Sequence, residues 1–192
     1  MTDTPTAAAA VEQGAELAVL LAEYGALKDE QAKRIDRREH LVLGTLTAFG
    51  ATLTAAAKIE IPVALLLLPA VAVILGWTHL VTDVKISVAG QYLRTELSVR
   101  LSALTGAPVL GWERAHRGDP RRRQRKRLQL AADLGTFPGP ALVSLGVYLT
   151  LTRPPVPGWI AAALLAAAAA VLAGQQALYA AGTHRPRNGG RR

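Results

Sequence analysis

Residues 61–80 read IPVALLLLPAVAVILGWTHL and contain no charged side chain. A helix rises about 1.5 Å per residue, so a stretch of this length spans the ~30 Å hydrocarbon core of a bilayer. A helix of a soluble bundle keeps one polar face, but the clearly polar residues here, Thr78 and His79, stand together at the end. The pattern predicts a transmembrane helix, and a buried helix of a soluble four-helix bundle is the alternative.

Three further apolar stretches are predicted to cross the membrane. They are residues 41–57, 134–151 and 159–181, and all lack Asp, Glu, Lys and Arg. Two short segments, Lys58–Glu60 and Thr152–Gly158, connect the first stretch to the second and the third to the fourth. Pro and Gly in Thr152–Gly158 favour a turn. The predicted fold class is therefore all-α. We expect an integral membrane protein with four transmembrane helices in two hairpins, residues 41–80 and 134–181.

Prolines within two of these stretches predict irregular helices. Pro69 is expected to kink the second span, and Pro138 and Pro140 are expected to weaken the start of the third. Lipid tolerates such breaks only where neighbouring helices satisfy the freed carbonyls. Both spans are therefore predicted to pack against other helices.

Basic residues predict the orientation of the spans. Residues 28–38 contain five Lys and Arg, residues 114–127 contain eight, and residues 185–192 contain four, whereas the two hairpin loops contain only Lys58 and Arg153. Cytoplasmic loops are enriched in Lys and Arg, and four spans place all three basic regions on one side. The sequence therefore predicts a multi-pass protein of the cell (inner) membrane with both termini in the cytoplasm.

Residues 11–40 are predicted to form a cytoplasmic amphipathic helix that runs unbroken into the first span, after a disordered N-terminus at residues 1–10. Its apolar face repeats every three or four residues and includes Leu17, Leu20, Leu21, Tyr24, Leu27, Gln31 and Ile35. The helix either packs on the protein's own cytoplasmic layer or forms a homo-oligomeric coiled coil. The polar Gln31 weakens the second alternative.

Residues 81–133 are predicted to form a second cytoplasmic helical segment that ends in a basic run. Its apolar stripe comprises Ile86, Ala89, Leu93, Leu97, Leu101 and Leu104. This stripe could lie among the lipid headgroups, but packing against residues 11–40 is the simpler interpretation. Residues 182–192 are predicted to be a basic, disordered tail.

The basic run is predicted to contact anionic lipid, because it directly precedes a span. It consists of Arg121, Arg122, Arg123, Arg125, Lys126 and Arg127. Nucleic-acid binding is disfavoured, since basic and aromatic residues do not alternate as they do in a stacking surface.

Within the fourth span, Gln175 and Gln176 are predicted to make a polar contact between helices, because an amide cannot fully satisfy itself on its own helix.

No catalytic, cofactor or metal residue is predicted. The sequence lacks the phosphate-loop, zinc-protease, serine-hydrolase and dinucleotide signatures, and it has no Cys. Its four His are not spaced as metal ligands, and we expect His40 and His79 to be solvated at the cytoplasmic ends of spans. The chain is therefore expected not to be an enzyme.

Three stretches, residues 23–38, residues 76–87 with 90–94, and residues 111–113, resemble segments of an uncharacterised family of small bacterial, actinomycete-like, multi-span integral membrane proteins. The resemblance implies a cytoplasmic helical face joined to membrane hairpins, and it carries no activity.

We expect a non-enzymatic inner-membrane protein whose cytoplasmic helices bind an unknown cytoplasmic protein or form a homo-oligomer. The alternative is a membrane-perturbing or pore-forming effector gated by those helices. A transporter or intramembrane enzyme is disfavoured because the spans contain no charged residue.

Overall fold

The computed structural model describes residues 7–59, 62–111 and 121–182, and all regular structure in these ranges is helical. The elements are α1 Ala7–Ile59, a 3₁₀ turn Pro62–Leu66, α2 Leu67–Tyr92, a π-helical turn Leu93–Leu97, α3 Ser98–Thr105, α4 Arg122–Thr136, α5 Pro138–Thr152 and α6 Val156–Gly182. The prediction of an all-α chain is confirmed.

Three helical stretches in the described ranges are long and apolar enough to cross a membrane: Leu67–Thr105, Gln124–Thr152 and Val156–Ala181. They contain the last three predicted spans, except for the first residues of the second. The remaining predicted span, residues 41–57, lies within α1, where the described residues include no stretch that meets the same criterion. The four-span arrangement therefore stays a prediction.

The beginning of α1 corrects one predicted boundary. The helix begins at Ala7, inside the predicted disordered segment 1–10, and continues without a break to Ile59. Residues 7–10 are all Ala, the residue with the highest helix propensity, which explains the earlier start. The rest of that segment, residues 1–6, lies outside the described residues, as does 183–192 of the predicted tail.

The prediction for Pro69 is wrong, and the prediction for Pro138 is confirmed. Pro69 does not kink the interior of a helix, because α2 begins at Leu67 after the 3₁₀ turn and Pro69 falls in its first turn. Helical N–H groups have no intrahelical partner there, so Pro costs no hydrogen bond. By contrast, Pro138 begins α5 directly after Phe137 (φ −110°, ψ −75°), where α4 ends. The third apolar stretch is therefore divided between two helices.

The chain divides into two compact units. The first comprises Met1–Arg37 and Thr82–Pro120, and the second comprises Arg38–Val81 and Arg121–Arg192. In the first unit, Leu20 is buried with Leu93, Leu97 and Leu101, so the expected packing between the two apolar stripes is observed. Leu93 and Leu97 stand at the two ends of the π-helical turn, which therefore supplies two of these four buried leucines.

Three polar contacts cross the first unit and run in antiparallel order. Gln31 Nε2 donates to the Ile86 carbonyl oxygen at 3.2 Å, and the Tyr92 hydroxyl donates to Glu23 Oε1 at 2.7 Å. Further along, an Arg100 guanidinium nitrogen lies 3.5 Å from Glu16 Oε1. Gln31, which weakens a coiled coil, thus bonds within the chain.

Small side chains bring three helices of the second unit together. Ala72 of α2, Ala141 of α5 and Ala169 of α6 form one buried cluster. One turn further along α2, a Cβ added to Gly76 would lie 2.6 Å from Leu172 Cδ2 and 2.8 Å from Phe137 Cβ. Since the contacts pair 72 with 169 and 76 with 172, α2 and α6 run parallel, and α5 runs antiparallel to both.

The substitution Gly76→Ala is expected to destabilise the second unit by about 1–3 kcal/mol, as overpacking does. Leu172 can rotate away, but the Phe137 Cβ is fixed by its backbone. Gly146→Ala is the matched control, because a Cβ there meets nothing within 4 Å. Thermal unfolding of the purified chain in detergent checks both variants, and equal midpoints would contradict the close approach.

Candidate functional site

A groove of ≈ 430 Å³ opens between α1 and α2 in the first unit. Its apolar lining comes from Leu27, Val84, Val88 and Ala89, and its polar lining includes Glu30, Gln31, Arg34 and Lys85. Residues from both helices line the groove because the hydrogen bond from Gln31 to the Ile86 carbonyl oxygen holds α1 and α2 together beside it. The result is an apolar floor with a charged rim, which suits an amphipathic helix.

The rim of the groove carries both signs of charge. Glu30 and Arg34 form an ion pair one turn apart on α1, and Lys85 is exposed on α2. Because Glu30 is already paired, Lys85 adds net positive charge to the opposite wall. Val88 is 60% exposed, so part of the apolar lining is accessible to a partner.

One end of the groove is closed by Tyr92, which lies beyond Leu80, where the apolar run of α2 ends. The hydrogen bond from its hydroxyl to the Glu23 carboxylate raises the pKa of Tyr92 above its ordinary value of 10.0. Because the pKa of Tyr92 is raised in the folded state, the stabilisation that this hydrogen bond contributes is fully present below about pH 10. It is lost as the pH rises through the folded-state pKa. The contact therefore persists throughout the physiological range.

In the second unit, a polar junction joins three helices near the predicted cytoplasmic ends of the spans. Arg38 Nε of α1 donates to His79 Nε2 of α2 at 2.8 Å. Because the Arg guanidinium is always a donor, the Nε2 atom accepts in this contact. Asp133 Oδ1 of α4 lies 3.9 Å from the same Nε2 atom.

The His79 side chain is only 2% exposed, and its ring lies 5.1 Å from the Phe137 ring, centroid to centroid. The expectation that His79 would be solvated is therefore wrong, because the break between α4 and α5 places Phe137 against the ring. Arg38, His79 and Asp133 each lie close to the end of a predicted span. Their common level in the membrane was the one feature of the sequence from which the junction could have been predicted. Charge and hydropathy do not indicate which faces of the helices meet.

The basic run does not act as one surface. Lys126 Nζ lies 5.5 Å from the Tyr179 ring centroid of α6, in a cation–π contact. Arg121, Arg125 and Arg127 are exposed. Arg122 and Arg123 begin α4, but their side chains lie outside the described ones. Lipid contact by the run stays a prediction, and Lys126 already has a protein neighbour.

Gln175 and Gln176 of α6, which were predicted to make a polar contact between helices, lie in different environments. Gln175 is exposed, whereas Gln176 is 4% exposed and neither its Nε2 nor its Oε1 atom has a hydrogen-bond partner. Gln176 therefore does not make the expected hydrogen bond between helices within the described part of the chain. Gln176 shares a face of α6 with Ala169 and Leu172. Ala169 packs with Ala72 and Ala141, and Leu172 packs beside Gly76, so this face meets apolar residues.

Arg38→Gln is expected to destabilise the chain by about 1–3 kcal/mol, because it removes the donor that satisfies the buried His79 Nε2 atom. The control is Arg37→Gln, which removes the same charge from an exposed neighbouring side chain. Thermal unfolding in detergent measures both. If Arg37→Gln lowers the midpoint as much as Arg38→Gln, general charge rather than the junction is responsible.

Gln176→Leu is expected to stabilise the chain by about 1–3 kcal/mol, because it removes two buried polar atoms that lack partners. Gln175→Leu, at an exposed position, should change the stability by less than about 0.5 kcal/mol. Unfolding midpoints test the pair. A lower midpoint for Gln176→Leu would contradict this expectation and would show that the buried amide stabilises the fold.

No known protein family, curated protein or solved structure matches this chain. Within residues 7–59, 62–111 and 121–182, no group of three or more His, Asp and Glu is placed to hold a metal ion. The candidate sites therefore rest on geometry alone.

Proposed function

We propose that this chain is a non-enzymatic, four-span protein of the bacterial inner membrane whose cytoplasmic helices bind a helix of a partner protein. Membrane placement is supported by the exposure of its apolar helices. In Val156–Ala181 only 17% of the most apolar stretch is buried. A soluble four-helix bundle would leave this surface in water at a large free-energy cost.

The proposal also includes the first predicted span, residues 41–57, and the orientation of the chain in the membrane. The uncharged residues 41–57 of α1 supply a further helical segment about 25 Å long, at 1.5 Å per residue, which tilt or a local thinning of the bilayer accommodates. With four spans, the three basic regions lie on the cytoplasmic side. Both termini and the first unit then lie in the cytoplasm.

The observation that carries partner binding is the groove in the first unit. The apolar floor of the groove is formed by Leu27, Val84, Val88 and Ala89. This proposal places the floor in the cytoplasm, where an apolar surface exposed to water is unfavourable. A helix that inserts an apolar side chain every three or four residues would cover the floor. Acidic residues on the same helix would face Lys85 on the rim.

A second copy of this chain is the less favourable occupant. Copies in one membrane share their orientation, so a twofold axis would run along the membrane normal and bring identical levels of the chain together. A dimer about this axis that sets groove against groove would leave a void between the two concave surfaces. A helix from a different protein can enter the groove without this restriction.

A photo-crosslinking amino acid at Val88 is expected to form an adduct with the partner in native membranes. Val99 provides the matched control, because it is also 60% exposed, lies in the same unit and does not line the groove. Mass spectrometry of the adduct should locate the crosslink on an amphipathic helical segment of another protein. Filling the groove with Ala89→Trp should remove the adduct.

Three results would contradict the proposed partner binding. Equal adducts at Val88 and Val99 would show non-specific proximity. An adduct with a second copy of the chain would identify homo-oligomerisation instead. An adduct at Val88 that survives Ala89→Trp would show that the partner does not enter the groove.

A further inference from the structure

Large side chains recur on α6 in adjacent pairs every seven residues. The pairs are Leu164 with Leu165, Val171 with Leu172, and Leu178 with Tyr179. The second member of each pair is turned towards the chain. Leu165 is half-buried, Leu172 is fully buried beside Gly76, and the Tyr179 ring receives the Lys126 ammonium group. The first member of each pair is exposed, so the outer side of α6 repeats the seven-residue spacing of the side that packs.

Small residues lie between the large ones on the outer side of α6. Residues 164, 167, 171, 174, 178 and 181 follow spacings that alternate between three and four, which place them in one seam along the helix. Large and small side chains alternate along the seam in the order Leu164, Ala167, Val171, Gly174, Leu178 and Ala181. All six are exposed, and a Cβ at Gly174 would meet nothing within 4 Å. The seam therefore presents projecting side chains and gaps of the same period.

We propose that this seam of α6 is the interface with a second copy of the chain. A side chain on such a seam enters a hole formed by four residues of the facing helix. For Val171 that hole is lined by Val171 of the other copy and by its Ala167, Ala170 and Gly174, three small residues that leave it deep. Small residues let two backbones approach closely, and this packing drives helix association in lipid.

The geometry of the membrane favours a second copy in the same orientation. A twofold axis along the membrane normal brings identical levels of two copies together, so the seam of one copy meets the same seam of the other in register. A strict seven-residue spacing suits two parallel helices that cross at about 20°. The inference rests on the proposed membrane placement, because only a shared bilayer gives the copies this common orientation.

Two observations favour a helix over lipid as the neighbour of the seam. Of the three described candidate spans, Val156–Ala181 is the least buried, with 17% of its most apolar stretch covered, so α6 has room for another helix. Gln175 flanks the seam next to Gly174, is exposed and has no hydrogen-bond partner within the described part of the chain. Acyl chains offer an amide no hydrogen bond, whereas a neighbouring helix does.

The test uses cysteines introduced one at a time into the full chain, which contains no native Cys. Val171→Cys is expected to form a disulfide-linked dimer in native membranes under mild oxidation, because equivalent seam residues of two parallel helices lie about 6 Å apart. Val143→Cys is the matched control, since Val143 is an exposed valine of α5. Ala169 meets Ala141, so Val143 and Val171 differ by only about 6 Å in depth. The control should give at least about fivefold less dimer, because a pair outside the interface is not held at disulfide distance.

A second substitution in the Val171→Cys chain tests the seam itself. Ala167→Leu fills a gap and should lower the dimer yield about fivefold or more, as overpacking does. Ala177→Leu is the matched control, because it enlarges another exposed alanine that lies about 100° from Leu178 around the helix. Both alanines are exposed, so neither substitution should lower the unfolding midpoint of the chain at high dilution in detergent, where copies separate.

Four results would overturn the interface. They are equal dimer yields from Val171→Cys and Val143→Cys, no dimer from either, a Val171→Cys dimer that survives Ala167→Leu, and a disulfide from Val171→Cys to a different protein. Release of the chain from cell membranes by alkaline extraction would instead overturn the membrane placement. Retention in the membrane without a seam-dependent dimer would overturn the interface alone, and retention with such a dimer supports both.

Discussion

The close approach at Gly76 constrains how three helices of the second unit pack together. The space that a Cβ would occupy there is taken by Leu172 of α6 and Phe137, which ends α4. The same approach allows Ala72, Ala141 and Ala169 to meet one turn away. Between helices in lipid, association depends on such packing and on hydrogen bonds, because the hydrocarbon around them is as apolar as their own side chains. Both the spacing and the relative direction of α2, α5 and α6 follow from this approach.

Most of the helical architecture could be predicted from charge and hydropathy. A run such as residues 61–80, without a charged side chain, has few alternatives to helix, since a backbone in lipid must satisfy its own hydrogen bonds. The stripe of Leu93, Leu97 and Leu101 likewise identified the residues that pack on Leu20. Local irregularities were harder to predict, because the preceding 3₁₀ turn decided whether Pro69 lay inside α2 or in its first turn.

The polar junction could not be predicted, because it depends on which helix faces meet. Arg38, His79 and Asp133 are far apart in the chain, and each has an ordinary explanation at the end of a span. Only after Phe137 interrupts the helix between α4 and α5 does an aromatic ring lie beside His79. Gln176 illustrates the converse case. A glutamine in an apolar helix predicts a partner, yet the packing around Ala169 and Leu172 buries the amide without one.

The two faces of α4 show why the basic run cannot be treated as a single charge cluster. Lys126 is committed to the Tyr179 ring, so its charge contributes to the contact between α4 and α6. Arg125, one residue earlier, is exposed. A helix turns about 100° per residue, so neighbours in such a run point in different directions. Loss of Lys126 therefore removes a contact between α4 and α6, whereas Arg125 points in a different direction and takes no part in that contact.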